Sequence, residues 1–438
     1  MSNSLLESFN IKVKNNNFSN VTDYEVFKDK ELLDNLRVKI LENLSDKNSF
    51  TDIDSETIKE EIKLSSEGYI LTSEERIYLY NLIDNEINGY GPLTEVLKAK
   101  DINEIMVNGS NTVYVESNGK IIKDETISFI NDKHIIRIIQ KLISKTGRVI
   151  DVNNPIVDAI LPDGSRINAV VPPISLHPTI TIRKFKSNML NIENLIGNGT
   201  MTPYMAEFLT ACVEAKLNII ISGSTSSGKT SILNTLTNFI SDNERIVTIE
   251  DARELNIKDK HVVSLETKID NVSNLDITIR DLVRNALRMR PDRILIGEVR
   301  GEEAFDMLQA MNTGCNGSMT TMHANSPKDA LSRLETMVLM GGIDIPINHL
   351  REYIDNAIDI IIHMERLKDG KRKITSISEV VGVKDDELVI KDIFKFKIDK
   401  VAEDGTINGI FSLNKEKPKS LDKIHNAGIT SIDYIFKK

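Results

Sequence analysis

Apolar side chains recur at helical spacing between residues 24 and 44, with Phe27, Leu32, Leu33, Leu36, Ile40 and Leu44 on one face. The surrounding chain is rich in Asn, Lys, Asp and Ser, so residues 1–65 read as a small helical or partly disordered extension. A denser pattern follows. A helix runs through Leu79, Leu82, Ile83 and Ile87 and stops at Gly89-Tyr90-Gly91-Pro92-Leu93, where glycine and proline forbid its continuation. Short β-branched runs then surround turn signals. Residues 104–107 and 113–116 flank Asn108-Gly109, Asn118-Gly119 marks a further turn, and 156–161 and 165–171 flank Pro162-Asp163-Gly164. Residues 179–185 form another strand, and 132–145 form a helix. These features predict an α+β domain over residues 66–185, rich in hairpins. Residues 186–203, with Gly197, Gly199 and several Asn, read as a linker.

From 204 to 365 the pattern changes to strands alternating with helices, the mark of a mostly parallel α/β sheet. Strands are predicted over 217–222, 245–249, 293–296 and 317–322. Each ends at a reactive group: Gly223, then Glu250 and Asp251, then Glu298, then His323. Ligands of open α/β sheets sit at the carboxyl ends of strands, so four such ends point to one site. Residues 366–438 read as an appended β-rich subdomain with turns at Asp369-Gly370 and Asp404-Gly405.

Composition narrows the class without changing this picture. A chain of 438 residues suits two or three domains, and its 40% hydrophobic and 27% charged residues are those of a soluble globular protein. No run is long enough to span a membrane, and Met1-Ser2-Asn3-Ser4 opens no secretory signal, so a cytoplasmic protein is expected. Two cysteines, Cys212 and Cys315, cannot build a four-cysteine zinc site. A net charge of −10 argues against general nucleic-acid binding.

The chemistry is carried first by Gly223, Ser224, Thr225, Ser226, Ser227, Gly228, Lys229 and Thr230, a full G-x-x-x-x-G-K-[ST] phosphate loop, with Ser231 continuing into the helix. The glycines let backbone N–H groups turn toward the β- and γ-phosphates, and the helix adds its positive N-terminal end. Lys229 supplies a point charge, and the Thr230 hydroxyl a Mg²⁺ ligand. ATP and Mg²⁺ are therefore the expected ligands. Glu298 closes the strand Arg293-Ile294-Leu295-Ile296 after Gly297, which stands where many P-loop enzymes carry aspartate. It is expected to hold Mg²⁺ through water or to polarise the nucleophile. Glu250 is the candidate general base, with Asp251 and Glu254 as neighbours, although an acid at a strand–helix junction also serves as a cap. His323 is in reach of the γ-phosphate by position, but a lone histidine is more often structural. Arg280, Arg284, Arg288, Arg290, Arg293 and Arg300 form a dense cluster that sequence alone cannot sort into site residues and surface ion pairs.

Several motifs resemble the ATPases of type II and type IV secretion and pilus assembly, closest to the CpaF/TadA branch that serves Tad pili. They are Gly89-Tyr90-Gly91-Pro92-Leu93, the stretches 147–173 and 181–185, the phosphate loop, and the segments 248–257, 284–314 and 317–327. The resemblance implies a RecA-like P-loop ATPase domain preceded by the α+β domain and the small helical extension. It implies that the acid at Glu298 serves Mg²⁺, that Glu250 positions water, that His323 belongs to the nucleotide site, and that Arg166 and Arg183 approach the γ-phosphate. It further implies a homo-hexamer working on an inner-membrane platform protein, hence a place on the cytoplasmic face of that membrane. A type IV secretion traffic ATPase is the alternative within the family, and a nucleic-acid motor an alternative outside it. Position 315 departs from the pattern: Cys315 stands where relatives usually have His.

Overall fold

The computed structural model describes residues 30–47, 53–117, 119–185, 191–268, 276–403, 405–414 and 416–437. Tyr24 and Phe27 of the first predicted helix, Asn118, residues 186–190 of the linker and Asp404 lie outside the described residues. The chain forms two compact units, Met1–Lys186 and Ser187–Lys438.

In the first unit the helices Lys30–Lys47, Ser55–Ser65 and Ser73–Ile87 share one core through Leu33, Leu36, Ile40, Ile58, Ile62, Leu79 and Ile83. The third starts with a capping box in which Thr72 Oγ1 accepts from the Glu75 amide at 3.2 Å and Glu75 Oε2 from the Thr72 amide at 2.7 Å. Near its end, Glu86 is buried against Arg37, His134 and Arg137, which tie the helical part to the helix Asp132–Ile143. Burial alone would raise the Glu86 pKa, but the hydrogen bonds and charges of His134 and Arg37 hold it down to about 2.

The sheet of this unit has six strands in the order β3-β2-β1-β6-β5-β4, with every neighbour antiparallel. These are β1 (Ile102–Asn108), β2 (Val113–Ser117), β3 (Lys120–Lys123), β4 (Ile156–Ile160), β5 (Arg166–Val170) and β6 (Thr179–Arg183). Ile105, Val107, Ile167, Ala169, Ile180 and Ile182 point to the face that shares its core with Ile135, Ile138, Ile139 and Leu142 of the helix Asp132–Ile143. By the period of two, Arg166 and Arg183 project from the other face.

The second unit is built on nine strands: β7 (Ile219–Gly223), β8 (Ile246–Glu250), β9 (Val262–Glu266), β10 (Arg293–Ile296), β11 (Met319–His323), β12 (Ile360–Arg366), β13 (Arg372–Lys384), β14 (Glu387–Val401) and β15 (Ile407–Leu413). Their order is β15-β14-β13-β12-β7-β11-β10-β8-β9, parallel from β12 through β9 and antiparallel from β12 to β15. Helices cover both faces, so successive residues of one strand enter different cores. Ile219 and Ile221 join Phe208 and Leu233, whereas Ile220 joins Val247, Ile294 and Leu334. The parallel part, with the phosphate-loop strand β7 separated from β10 by β11, is a RecA-like α/β core. Residues 366–438, expected as an appended subdomain, extend this same sheet, and Leu421, Ile424, Ile435 and Phe436 enter the core of Phe208. Among the described residues no helix is long and apolar enough to cross a membrane.

Candidate active site

The phosphate loop leaves β7 at Gly223. A Cβ there would stand 2.2 Å from the Met364 carbonyl oxygen and 2.7 Å from Ser227 Oγ, so only glycine fits. Gly228, at φ +101, is the N-cap of the helix Lys229–Leu236. Ser224 and Thr225 are exposed at the mouth of the loop, while Ser227 and Lys229 are buried. Ser231 lies beyond the loop, on the exposed side of the helix. Lys229 Nζ donates to the carbonyls of Gly223 at 3.1 Å and Ser224 at 2.9 Å. Beneath the loop, Ser222 Oγ and Nδ1 of the buried His363 on β12 are 2.9 Å apart, and sequence reasoning gave no signal for this support.

From Lys229 a line of contacts runs along neighbouring strand ends in the order β7, β11, β10, β8. Lys229 Nζ lies 3.4 Å from His323 Nδ1, and His323 Nε2 lies 2.6 Å from Glu298 Oε1. Burial depresses the His323 pKa, and the charge of Lys229 adds to this against the pull of Glu298. A neutral ring leaves Nδ1 placed to accept from Lys229, while the buried Glu298 Oε1, although close to Nε2, keeps no hydrogen-bond partner among the described residues. Arg300 Nε donates to Glu298 Oε2 at 2.8 Å, and Arg300 Nη1 lies 3.1 Å from Asp251 Oδ2. The desolvation of Arg300 is outweighed by Glu298 and Asp251, which raise its pKa.

Glu250, the last residue of β8, is 2% exposed. Its Oε1 accepts from the amides of Glu254 and Leu255, both at 2.9 Å, while the buried Oε2 has no hydrogen-bond partner. It thus caps the following turn and keeps one oxygen for another group. Burial pushes its pKa up, and the two amide bonds only partly offset this.

The remaining arginines separate clearly. Arg280 and Arg284 pair with Asp306, and Arg293, wholly buried, grips Glu244 with bonds of 2.8 and 3.0 Å. Among the described residues of the cluster, Arg300 is the one that pairs with candidate site acids, Glu298 and Asp251. Arg166 and Arg183 lie in the first unit, directly opposite each other on β5 and β6, with Glu104 of β1 on the other side of Arg183. Cys315 is buried in the turn before β11, at the opposite end of that strand from His323.

The groups fit a nucleoside triphosphate with a hard cation. Among the described residues the buried Ser227 Oγ, Glu250 Oε2 and Glu298 Oε1 have no hydrogen-bond partner, so three polar atoms of the site await one. Thr230 opens the helix beside Lys229, and Glu298 offers a carboxylate from β10. Mg²⁺ in such sites rests on one or two protein groups together with phosphate oxygens and water.

A phosphate loop on β7, an acid beyond β10 and a buried carboxylate at the end of β8 define a P-loop ATPase of RecA-like architecture. The chain belongs to the type II/IV secretion system protein family, whose model matches residues 86–389. A putative conjugal transfer protein of Mycobacterium tuberculosis is 33% identical over 305 residues, covering 68% of this chain and 86% of the relative. The type IV secretion system protein VirB11 of Bartonella quintana is 33% identical over 328 residues, covering 65% of this chain and 90% of the relative. The VirB11 ATPase of the Brucella suis type IV secretion system, solved with sulphate, is 28% identical with a TM-score of 0.36, covering 65% of this chain and 94% of that one.

Proposed function

We propose that this protein is a Mg²⁺-dependent ATPase that works as a homo-hexamer and drives assembly of a Tad or type IV-like pilus, or protein secretion, from the cytoplasmic face of the inner membrane. The observation that carries the hydrolytic reading is the line of contacts from Lys229 through His323, Glu298 and Arg300 to Asp251 along four neighbouring strand ends. Lys229 and the loop amides of 223–228 hold the β- and γ-phosphates, and His323 keeps Lys229 and Glu298 in register. Mg²⁺, held by Thr230 and served by Glu298, supplies charge neutralisation on the phosphate oxygens. Glu250 orients a water and takes its proton as the water oxygen bonds to the γ-phosphorus. The bond to the bridging oxygen breaks, and ADP and phosphate leave. Arg166 and Arg183 neutralise the charge of this transition state, contributed by the N-terminal part of the same or a neighbouring subunit.

The partner is a platform membrane protein. A second reading, a type IV secretion traffic ATPase, is favoured by the VirB11 and conjugal transfer relatives. The test is phosphate release from ATP by the full chain with and without Mg²⁺, beside Lys229→Ala and Glu298→Gln, with the assembly state read by mass photometry. Loss of turnover in Lys229→Ala, retained binding with slow turnover in Glu298→Gln, and a hexamer are expected. Normal turnover by Lys229→Ala overturns the site, and strong stimulation by single-stranded DNA favours a nucleic-acid motor instead.

A further inference from the structure

The hairpin between β12 and β13 reaches back over the phosphate loop. Met364 and Gly223 are register partners on β12 and β7, and the Met364 carbonyl is the atom that a Cβ on Gly223 would strike. Beyond the turn, closed by the Leu367 amide bonding the Lys371 carbonyl at 2.8 Å, comes Arg372. Its Nε donates to the Ser226 carbonyl at 2.9 Å, across 146 residues of chain. Its Cδ lies 3.3 Å from where a Cβ on Gly228 would stand.

Ser226 is held at φ +58, a left-handed conformation that a non-glycine residue adopts only when its surroundings impose it. A trans peptide directs its C=O and N–H in opposite senses. Fixing the Ser226 oxygen on Arg372 therefore aims the Ser227 amide the other way, toward the loop interior, where it reaches the Ser224 carbonyl at 3.3 Å. The Ser226–Ser227 peptide is thus held on both sides, by Arg372 at its oxygen and by the Ser224–Ser227 turn at its amide.

We infer that Arg372 is a positioning residue for the nucleotide: it fixes the Ser226–Ser227 peptide so that the loop is preformed for phosphate, and it makes the β12–β13 hairpin part of the nucleotide site. The inference rests on the reading of residues 223–230 as the ATP site. A charged hydrogen bond of this kind, lost from a loop that must then reorder on binding, is worth about a tenfold change in affinity.

The test compares the full chain with Arg372→Lys, Arg372→Ala and the double variant Arg372→Ala with Ser226→Gly, reading ATP affinity by calorimetry, kcat at saturating ATP, and melting without nucleotide. Expected are an affinity about tenfold weaker in both single variants and kcat within about twofold of the parent. Substantial recovery of affinity is expected in the double variant, because glycine adopts the left-handed conformation without help. Unchanged affinity in a folded Arg372→Lys protein overturns the proposal. A fall in kcat with no rescue by glycine also overturns it, since Arg372 would then act on the phosphates directly. Lys229→Ala in the same series keeps the failures apart. Retained ATP binding there removes the site itself, whereas loss there beside intact Arg372 variants removes only the role of Arg372.

Discussion

Gly297 and Glu250 approach so closely that a Cβ on the glycine would stand 2.9 Å from Glu250 Cγ and 3.5 Å from its Oε1. Their strands are parallel neighbours, and the Gly297 amide bonds the Ile249 carbonyl at 2.8 Å, so neither backbone can retreat. This explains why a glycine precedes Glu298 here: it leaves the volume that the Glu250 side chain occupies. Gly297→Ala is expected to displace Glu250 by a few tenths of an ångström or more. Because a misplacement of 1 Å can cost about 10²-fold in rate, kcat should fall between tenfold and about 10²-fold while ATP affinity holds. Steady-state hydrolysis beside a binding titration checks this, and an unchanged kcat would show that Glu250 has no part in the reaction.

Glu250 also predicts a pH dependence. Its folded pKa is raised above the ordinary carboxyl value, chiefly by burial. The rate should therefore fall on the acid side through a pKa higher than 4.5, and Glu250→Gln should abolish that limb and lower kcat by about 10³-fold. The stability effect has the opposite sign. A carboxyl that holds its proton more tightly when folded loses stability as pH rises through the unfolded pKa and then the folded one. Glu250→Gln should then melt higher than the parent at neutral pH, with the gap closing toward pH 4.5. Melting curves across this range decide it.

Much of the ATPase core was legible because its strands are continuous apolar runs that stop at a turn or a charge. The expected strand at 245–249 is Ile246–Glu250, and that at 293–296 is Arg293–Ile296. β9 gave little signal, being a half-buried edge strand with its apolar residues spread over both faces. The run of isoleucines in β12 is plain in the sequence, but its place beside β7 is set by pairing across some 140 residues, which no local pattern encodes. The same limit applies to the site. Lys229 is carried by the phosphate-loop motif, Glu250 and Glu298 by their places at strand ends and His323 by the family resemblance, whereas Arg372 and His363 reach the loop from a hairpin that carries no motif. The arginine cluster illustrates it best: Arg293 and Arg300 look equivalent in sequence, yet one is sealed in the core and the other holds Glu298.

Arg293 gives a stability prediction free of the chemistry. Its guanidinium is fully buried and bonds both oxygens of Glu244, and its Nη1 donates to the Gly317 carbonyl at 3.3 Å. Removing one partner of a buried pair costs about 3–5 kcal/mol, and since Lys216 still pairs with Glu244 at 3.0 Å the lower end of that range applies here. Arg293→Met should lower stability by that amount in a denaturant titration, while hydrolysis per folded molecule remains within about twofold. Desolvation would raise the Glu244 pKa, but Arg293 and Lys216 hold it at about 2. The stability it contributes is thus complete above the unfolded value near 4.5 and is lost as pH falls toward 2. Arg293→Met should flatten that part of the acid unfolding profile.

Arg166 and Arg183 face each other on β5 and β6, with Glu104 of β1 on the other side of Arg183. Like charges directly opposite on antiparallel strands are unfavourable, and the register sets Glu104 against Arg183 to offset this. Arg183 is exposed at the end of β6, so truncating it removes no core packing, and the melting temperature without nucleotide should not fall. If it meets transition-state charge, Arg183→Ala should lower kcat by on the order of 10³-fold and change ATP affinity far less. Single-turnover hydrolysis beside equilibrium binding separates the two effects. A rate equal to that of the parent assigns the role to Arg166, whose own alanine variant then has to show the loss. Equal rates in both variants remove the first unit from the chemistry and leave Arg300, beside Glu298, as the arginine to be tested next.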